Sequence, residues 1–439
     1  MTTLDVLYDI FLRHPEICTD SRKLRAGSLF FGLKGEQFDG NDYAEAAIMD
    51  GAAYAVVDDR RLYETSPWGC LASLDAKLLW VPNVLEALQA LALHHREHCH
   101  IPVLALTGTN GKTTTKELIT VVLQTRFPTC ATQGNLNNHI GVPLSLLRIK
   151  PDDQKMVVEM GASHPGEIAE LCRIAKPDFG LITNVGKAHL EGFGSLEGVL
   201  QTKSALYDAA KQLFVNADDA LLCGAAAQRG KWEGAIRYGL HYQQARILPP
   251  QDAQAFLRME VPGFPLIETQ LIGDYNAYNV LAALAVGSRF GCDPKEMAAA
   301  IAGYTPSNNR SQWQQTAHNA LIIDAYNANP SSMAAALDNF DRLPDAERKA
   351  LILGDMLELG VDSEVEHKAV VSRLLDCYPP EALYLVGPRL GAAASGSSAY
   401  CFDTVDDLRA FLQAQPLQGK LILMKGSRGM RLEKALDCL

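Results

Sequence analysis

No run of apolar residues in this 439-residue chain approaches the roughly 18–20 that a helix needs to span a bilayer. Membrane insertion is therefore not expected. There is no CxxC pair and no Cys/His cluster. Ten cysteines are scattered at uneven spacing, which argues against a zinc ribbon or a disulfide scaffold and reads as reduced, mostly core thiols. No block of basic residues occurs, and 40 Lys and Arg stand against 51 Asp and Glu, a formal charge of −11. That balance excludes general nucleic-acid binding and adhesion to anionic membranes, so any anionic ligand must be held by a local site. Internal repeats, low-complexity tracts and heptads are missing. Aromatics are only 7%, but 48% apolar and 21% charged residues are globular proportions. The start, MTTLDVLYDIFLRHPEIC, is broken by Asp5, Asp9, Arg13 and His14, so it is not read as a signal peptide. A cytoplasmic protein is expected.

The length predicts about three domains at roughly 150 residues each. Residues 1–100 mix short strands (AGSLFFGLKG, AAYAVVDD) with a helix (YAEAAIMDGA), then a helical stretch at 84–100. From Ile101 the pattern becomes strand–helix alternation: IPVLALTG, KMVVEMG, FGLITNVG and QLFVNAD are short apolar runs separated by helical segments. This implies a largely parallel sheet covered on both faces. ARILPP, AFLRMEVP and PLIETQLIG read as short antiparallel strands, and 276–291 as a helix ending at Gly291. After Pro306, five strand-like segments (LIIDAYN, ALILGDM, ALYLVG, AYCFD, LILMKG) alternate with helices, the last being MRLEKALDCL at the terminus. That is a small doubly wound unit. The expected fold is α/β in three domains: 1–100, 101–305 and 306–439.

The strongest chemical signal is LTGTNGKTTTKE at 106–117. Gly108 and Gly111 let the backbone turn and aim its N–H groups inward. Lys112 can reach phosphate oxygens, the Thr113 hydroxyl can sit on a bound Mg²⁺, and the helix beginning there adds its positive end. The full GxxxxGK[ST] pattern is not met, because Leu106 takes the place of its first Gly; the strand–turn–helix setting supplies what the pattern lacks. Mg²⁺ wants hard oxygen ligands besides phosphate. Glu159 ends the strand MVVEMG at the same sheet edge, either as such a ligand or as a solvated strand end. His189, in TNVGKAHLEGFGS, follows the next strand and stands between a structural and a catalytic role. GNLNNHIGVPLSLL (134–147) is dense in amides at Asn135, Asn137 and Asn138. Amides can hold sugars and peptides without adding charge, or can simply build turns.

Together these segments resemble the Mur ligase family of ATP-dependent amide-forming enzymes, and the resemblance reaches all three parts of the chain. It rests on TGTNGKTTTKE, GNLNNHIGVPLSLL, EMGASHPGEI, TNVGKAHLEGFGS and GDYNAYNVLAAL, then on IIDAYNANPSSMAAAL, LGDMLELG and KGSRGMRLE, and near the start on TDSR and LFFGLKGEQFDGNDY. The resemblance implies an N-terminal domain for a UDP-sugar, a central P-loop ATPase with a mostly parallel sheet, and a C-terminal Rossmann-like domain. Thr107, Gly108, Thr109, Asn110, Gly111, Lys112, Thr113 and Thr114 would form the ATP loop. Asn276 and Asn279 would contact adenine, and Arg310, Asp324 and Tyr326 would close on ATP from the C-terminal side. Ser21, Arg22, Asn135, Asn137, Asn138, Asp355, Lys425 and Ser427 would serve the other substrates. Thr113, Glu159, His189 and a carbamylated Lys203 would hold the metals, two Mg²⁺ being expected. Two features depart from the family. Lys203 lacks the usual Gly-Glu after it, which leaves a solvated helix Lys as the other reading. A DGH common among relatives reads DGN, with Asn41.

The implied reaction phosphorylates the terminal carboxylate of a UDP-N-acetylmuramoyl tripeptide. The amine of D-alanyl-D-alanine then attacks the acyl phosphate, and the tetrahedral intermediate collapses to an amide. Both steps build charge on oxygens, which Lys112, Mg²⁺ and the loop amides suit. A monomer is expected. Two other readings are open to the sequence: a folylpolyglutamate synthase, disfavoured by the 100 residues before Ile101, and a nucleotide switch, disfavoured by the amide-rich loops.

Overall fold

The computed structural model describes residues 1–69, 76–249, 256–307, 309–344 and 346–439. The first unit is a four-stranded parallel sheet in the order Ile17–Cys18, Leu29–Phe31, Tyr54–Val57, Leu78–Trp80. The opening stretch is a helix, Leu4–Arg13, capped by the Thr3 hydroxyl, with Leu7, Ile10 and Phe11 buried. Asn83 caps the next long helix, Val84–His98, by accepting from the N–H groups of Leu85 and Glu86. This helix joins two units. Its Leu88, Leu91 and Ala92 share one core with Leu7 and Phe11 on one side and with Val103, Val142 and Leu171 on the other.

The second unit is a six-stranded, wholly parallel sheet. Its order is Ile236–Tyr238, Gln212–Asn216, Phe179–Ile182, Val103–Thr107, Lys155–Glu159, Thr129–Ala131. Helices cover both faces, so its central strands are uninterrupted apolar runs, and each fully buried Leu or Val contributes about 1.5–3 kcal/mol. The expected antiparallel segment is present as Arg246–Leu248, Phe256–Glu260 and Ile267–Ile272; Pro250 and Ala255 of the expected strands lie outside the described residues. The helix Asn276–Phe290 packs on Lys112–Gln124 at Gly287, where a Cβ would stand 2.4 Å from Val122 Cγ1.

The third unit is a six-stranded sheet ordered Gln312–Gln315, Ala320–Asp324, Leu421–Lys425, Lys349–Gly354, Leu383–Val386, Tyr400–Phe402. All pairs are parallel except the first. Two expectations are corrected. The terminal MRLEKALDCL is not an α-helix: a left-handed Arg431 (φ 52°) interrupts it, and Leu432–Cys438 is a 3₁₀ segment. Its last carbonyl is held by Thr316 Oγ1 at 2.9 Å and Asn319 Nδ2 at 2.7 Å. The cysteines are not mostly core. All nine among the described residues are free, yet only Cys18, Cys172 and Cys292 are buried, and Cys377 and Cys401 are exposed. No described helix is long and apolar enough to cross a membrane.

Candidate active site

The strands of the central sheet deliver their loops to one edge, and a cleft of about 650 Å³ opens between that edge and the third unit. Gly108 ends the strand Val103–Thr107; a Cβ there would lie 1.8 Å from Thr183 Oγ1, so only glycine fits. Gly111 has φ +75° and leads into the helix at Lys112. The Lys112 ammonium folds back on its own loop, donating to the carbonyls of Gly108 (2.8 Å) and Thr109 (3.1 Å). Burial pushes its pKa down, Glu159 opposes this and Arg310 adds to it. The loop is pinned from a neighbouring strand. Thr183 Oγ1 donates to Asn110 O at 2.6 Å, and Asn110 N donates to Asn184 Oδ1 at 3.0 Å. Thr107 and Thr113 are buried beneath it, and Thr114 faces the cleft.

Glu159 is 1% exposed. Its Oε1 accepts from Asn137 Nδ2 at 2.8 Å, while Oε2 is buried with no partner. A carboxylate oxygen left bare in a protein interior is costly, and a hard cation would satisfy it. His189, at φ +50°, also lines the cleft. Its Nδ1 stands in ion-pair contact with Glu358 Oε2 of the third unit, at 2.6 Å. Lys203 lies behind them in the helix Leu196–Ala209 and is 2% exposed. It has no carboxylate within ion-pair distance among the described residues; its Nζ stands 5.8 Å from the centroid of the Phe193 ring. Burial holds its pKa well below the ordinary lysine value, and the Lys112 charge lowers it further. The solvated-helix alternative is therefore excluded. No described group of three His, Cys, Asp or Glu side chains forms a ready-made metal cluster.

Asn276 and Asn279 reach the cleft wall with much of their capacity spent internally. Asn276 Nδ2 donates to Ile272 O, Asn279 Nδ2 to Asn276 Oδ1, and Thr115 Oγ1 to Asn279 Oδ1. From the third unit, Arg310 stacks 3.7 Å from the Tyr326 ring centroid, with Arg428 at 5.4 Å. Asp324 and Lys425 end neighbouring strands in register and pair at 2.5 Å. Asn329, which caps the helix Pro330–Arg342, donates to Asn110 Oδ1 at 2.9 Å and so ties the third unit to the phosphate loop.

Of the other expected residues, all but Asn138 stand apart from this cleft. The Asp355 carboxylate accepts from the N–H groups of Arg389 (3.1 Å) and Leu390 (2.9 Å), capping a helix, and the buried Ser427 hydroxyl accepts from Leu357 N. Arg22 is exposed and bound to Asp20 in the first unit, beside Ser21; among the described residues none before Thr109 lines the cleft. Asn138 faces the cleft while its Oδ1 caps Gly141–Leu146, and Asn135 is exposed. Sequence reading missed Asn184, Asn329 and Glu358. Asn329 carried a signal, since Asn before Pro is a helix-start signature; Glu358 carried none.

Comparison with known proteins follows the same three units. Residues 15–96 match the model described as Mur ligase family, catalytic domain. Residues 106–287 match Mur ligase middle domain, and 309–428 match Mur ligase, glutamate ligase domain. A UDP-N-acetylmuramoyl-tripeptide--D-alanyl-D-alanine ligase of Bacillus subtilis is 35% identical over 437 residues, spanning 96% of this chain and 92% of that protein. The chain belongs to the Mur ligase family. Among solved structures, MurF from Acinetobacter baumannii is similar at 29% identity and TM-score 0.82, over 96% of this chain and 92% of that one. MurF ligase from Thermotoga maritima in complex with ADP, at 24% identity and TM-score 0.82, covers 100% and 98% and shares the fold. The Mur ligase assignment accounts for the first unit as well as for the phosphate loop.

Proposed function

We propose that this Mur ligase joins D-alanyl-D-alanine to a UDP-N-acetylmuramoyl tripeptide in peptidoglycan precursor synthesis. It is an ATP-dependent ligase that forms a C–N bond and releases ADP and phosphate. The observation that carries this is the end-to-end similarity to a ligase of that name, together with a phosphate loop and a third-unit wall meeting in one cleft.

Residues 1–100 would hold the uridine end through Ser21 and Arg22, 101–305 would bind ATP, and 306–439 would close over it. Lys112 would leave the loop carbonyls for the transferring phosphate, and the N–H groups of residues 108–113 would face the same oxygens. Arg310 and Tyr326 would cover the nucleotide, and Lys425 would place positive charge at the cleft floor. Asn137 would orient Glu159 while Asn138 meets the muramoyl substrate. Glu159, His189 and a carbamylated Lys203 fit two Mg²⁺. When bound, these ions would neutralise charge developing on phosphate oxygens. Burial disfavours the charged form of Lys203 and so favours the amine that carbamylation needs: its nitrogen would bond to the carbon of CO₂ and release a proton. The product would supply a second anionic ligand beside Glu159. We place the enzyme in the cytoplasm, as a monomer.

Steady-state phosphate release tests the reaction. It should require both UDP-muramoyl tripeptide and D-alanyl-D-alanine. ATP hydrolysis indifferent to the dipeptide would instead mark a nucleotide switch.

A further inference from the structure

We propose that Glu358 is a positioning residue. As a carboxylate of the third unit it sets the imidazole of His189, so that His189 is correctly presented only while the two units are together. The inference rests on the role given to His189 above. His189 (φ +50°) and Glu358 (φ +64°) are both non-glycine residues in the left-handed region, and they face each other across the boundary between units. Such backbones persist where the surroundings enforce them.

An ion pair whose acid is 59% exposed contributes little to folding, less than two such backbones cost. The arrangement is therefore not explained by stability. At 2.6 Å, two lone pairs would repel, so His189 Nδ1 must carry the proton. With Nδ1 held against the carboxylate, Nε2 is the ring nitrogen left for another partner. Carboxylates that orient an imidazole in this way are worth about 10–100-fold in activity.

The turn bearing Glu358 is itself held. Met356 N donates to Nε2 of the buried His367 at 3.0 Å, and Leu357 N to Ser427 Oγ at 2.8 Å. The loop bearing His189 is tied to the third unit separately, by Lys187 Nζ to Glu366 at 2.7 Å and by Lys187 N to Ser331 Oγ at 3.2 Å. The separate Lys187–Glu366 tie supplies a control that weakens the latch between units without touching the imidazole.

The test combines kinetics with ¹⁵N NMR of histidine-labelled full-length protein, the His189 signal being the one lost in His189→Gln. Glu358→Ala should lower kcat about 10–100-fold with little change in KM for ATP, and should shift His189 from the Nδ1–H form to a tautomer mixture. Glu358→Gln, whose amide oxygen still accepts, should recover most of both. Glu366→Gln should leave the His189 spectrum unchanged. Wild-type kcat in Glu358→Ala, or a reduced kcat with an unaltered His189 spectrum, would overturn the proposal. Full turnover in His189→Ala would instead overturn the reading of His189 itself.

Discussion

Two lysines at the cleft behave differently because their surroundings differ. Lys112 has carbonyls to hold its charge, whereas Lys203 is buried with no acid in ion-pair contact among the described residues. Lys112→Ala should fold normally and lose about 2–4 kcal/mol of transition-state stabilisation, by analogy with loss of one preorganised donor; single-turnover phosphate release on the variant measures this. For Lys203 the pH dependence has a definite sign. Its folded pKa is depressed, so between that value and about 10.4 the unfolded chain binds more protons than the folded one. In CO₂-free buffer, wild-type stability should therefore rise with pH through that window, and Lys203→Met should flatten the rise. Bicarbonate should raise the wild-type Tm, since CO₂ would bind only the folded amine, and should leave that of Lys203→Met unmoved. Lys203→Ala should be nearly inactive and partly rescued by acetate. Full activity without rescue would refute the carbamate.

At the scale of elements, the Arg96 side chain adds a polar tie between the helix Val84–His98 and the central unit. Arg96 donates to the carbonyls of Ala175, Cys99 and Lys176 and pairs with Asp178 at 2.9 Å. Arg96→Leu would strand those acceptors and should cost about 2–4 kcal/mol in urea unfolding. Burial raises the Asp178 pKa, but Lys211, the Val103 N–H and Arg96 outweigh it, and the net shift is downward. Its contribution is thus present above about pH 4 and lost as pH falls through the folded value. Arg96→Leu should therefore flatten the acid side of the stability curve. Four of the six parallel strands of the second unit, and the parallel strands of the third, were legible because burial on both faces makes them unbroken apolar runs; the short edge strands Thr129–Ala131 and Ile236–Tyr238 were not. Gln312–Gln315 was not, since an edge strand needs no apolar alternation. The segment after Met430 was misread because helical periodicity does not reveal a left-handed residue such as Arg431.

At the scale of the molecule, the division near residue 100 is a boundary in sequence but not in packing. Leu88, Leu91 and Ala92 belong to a core that continues into the central unit. A fragment 101–439 would expose that apolar face and should aggregate. A fragment 84–439 keeps the helix; it should still bind ATP by calorimetry while losing the UDP-muramoyl substrate. Retention of that substrate with unchanged affinity would remove the first unit from substrate binding.

The local chemistry was determined by the chain itself. Glycines at 108 and 111 before Lys112, a strand ending in Glu159, and the loop holding His189 are short-range patterns, and a parallel sheet must deliver such strand ends to one edge. Only the tertiary structure decided which distant groups meet them. Glu358 lies 169 positions after His189, and Asn329 lies 219 after Asn110; no periodicity relates residues on separate sheets. Burial was decided there too. Lys203 reads as an ordinary helical lysine until Leu196–Ala209 is packed against the sheet, and packing alone removes it from water and lowers its pKa.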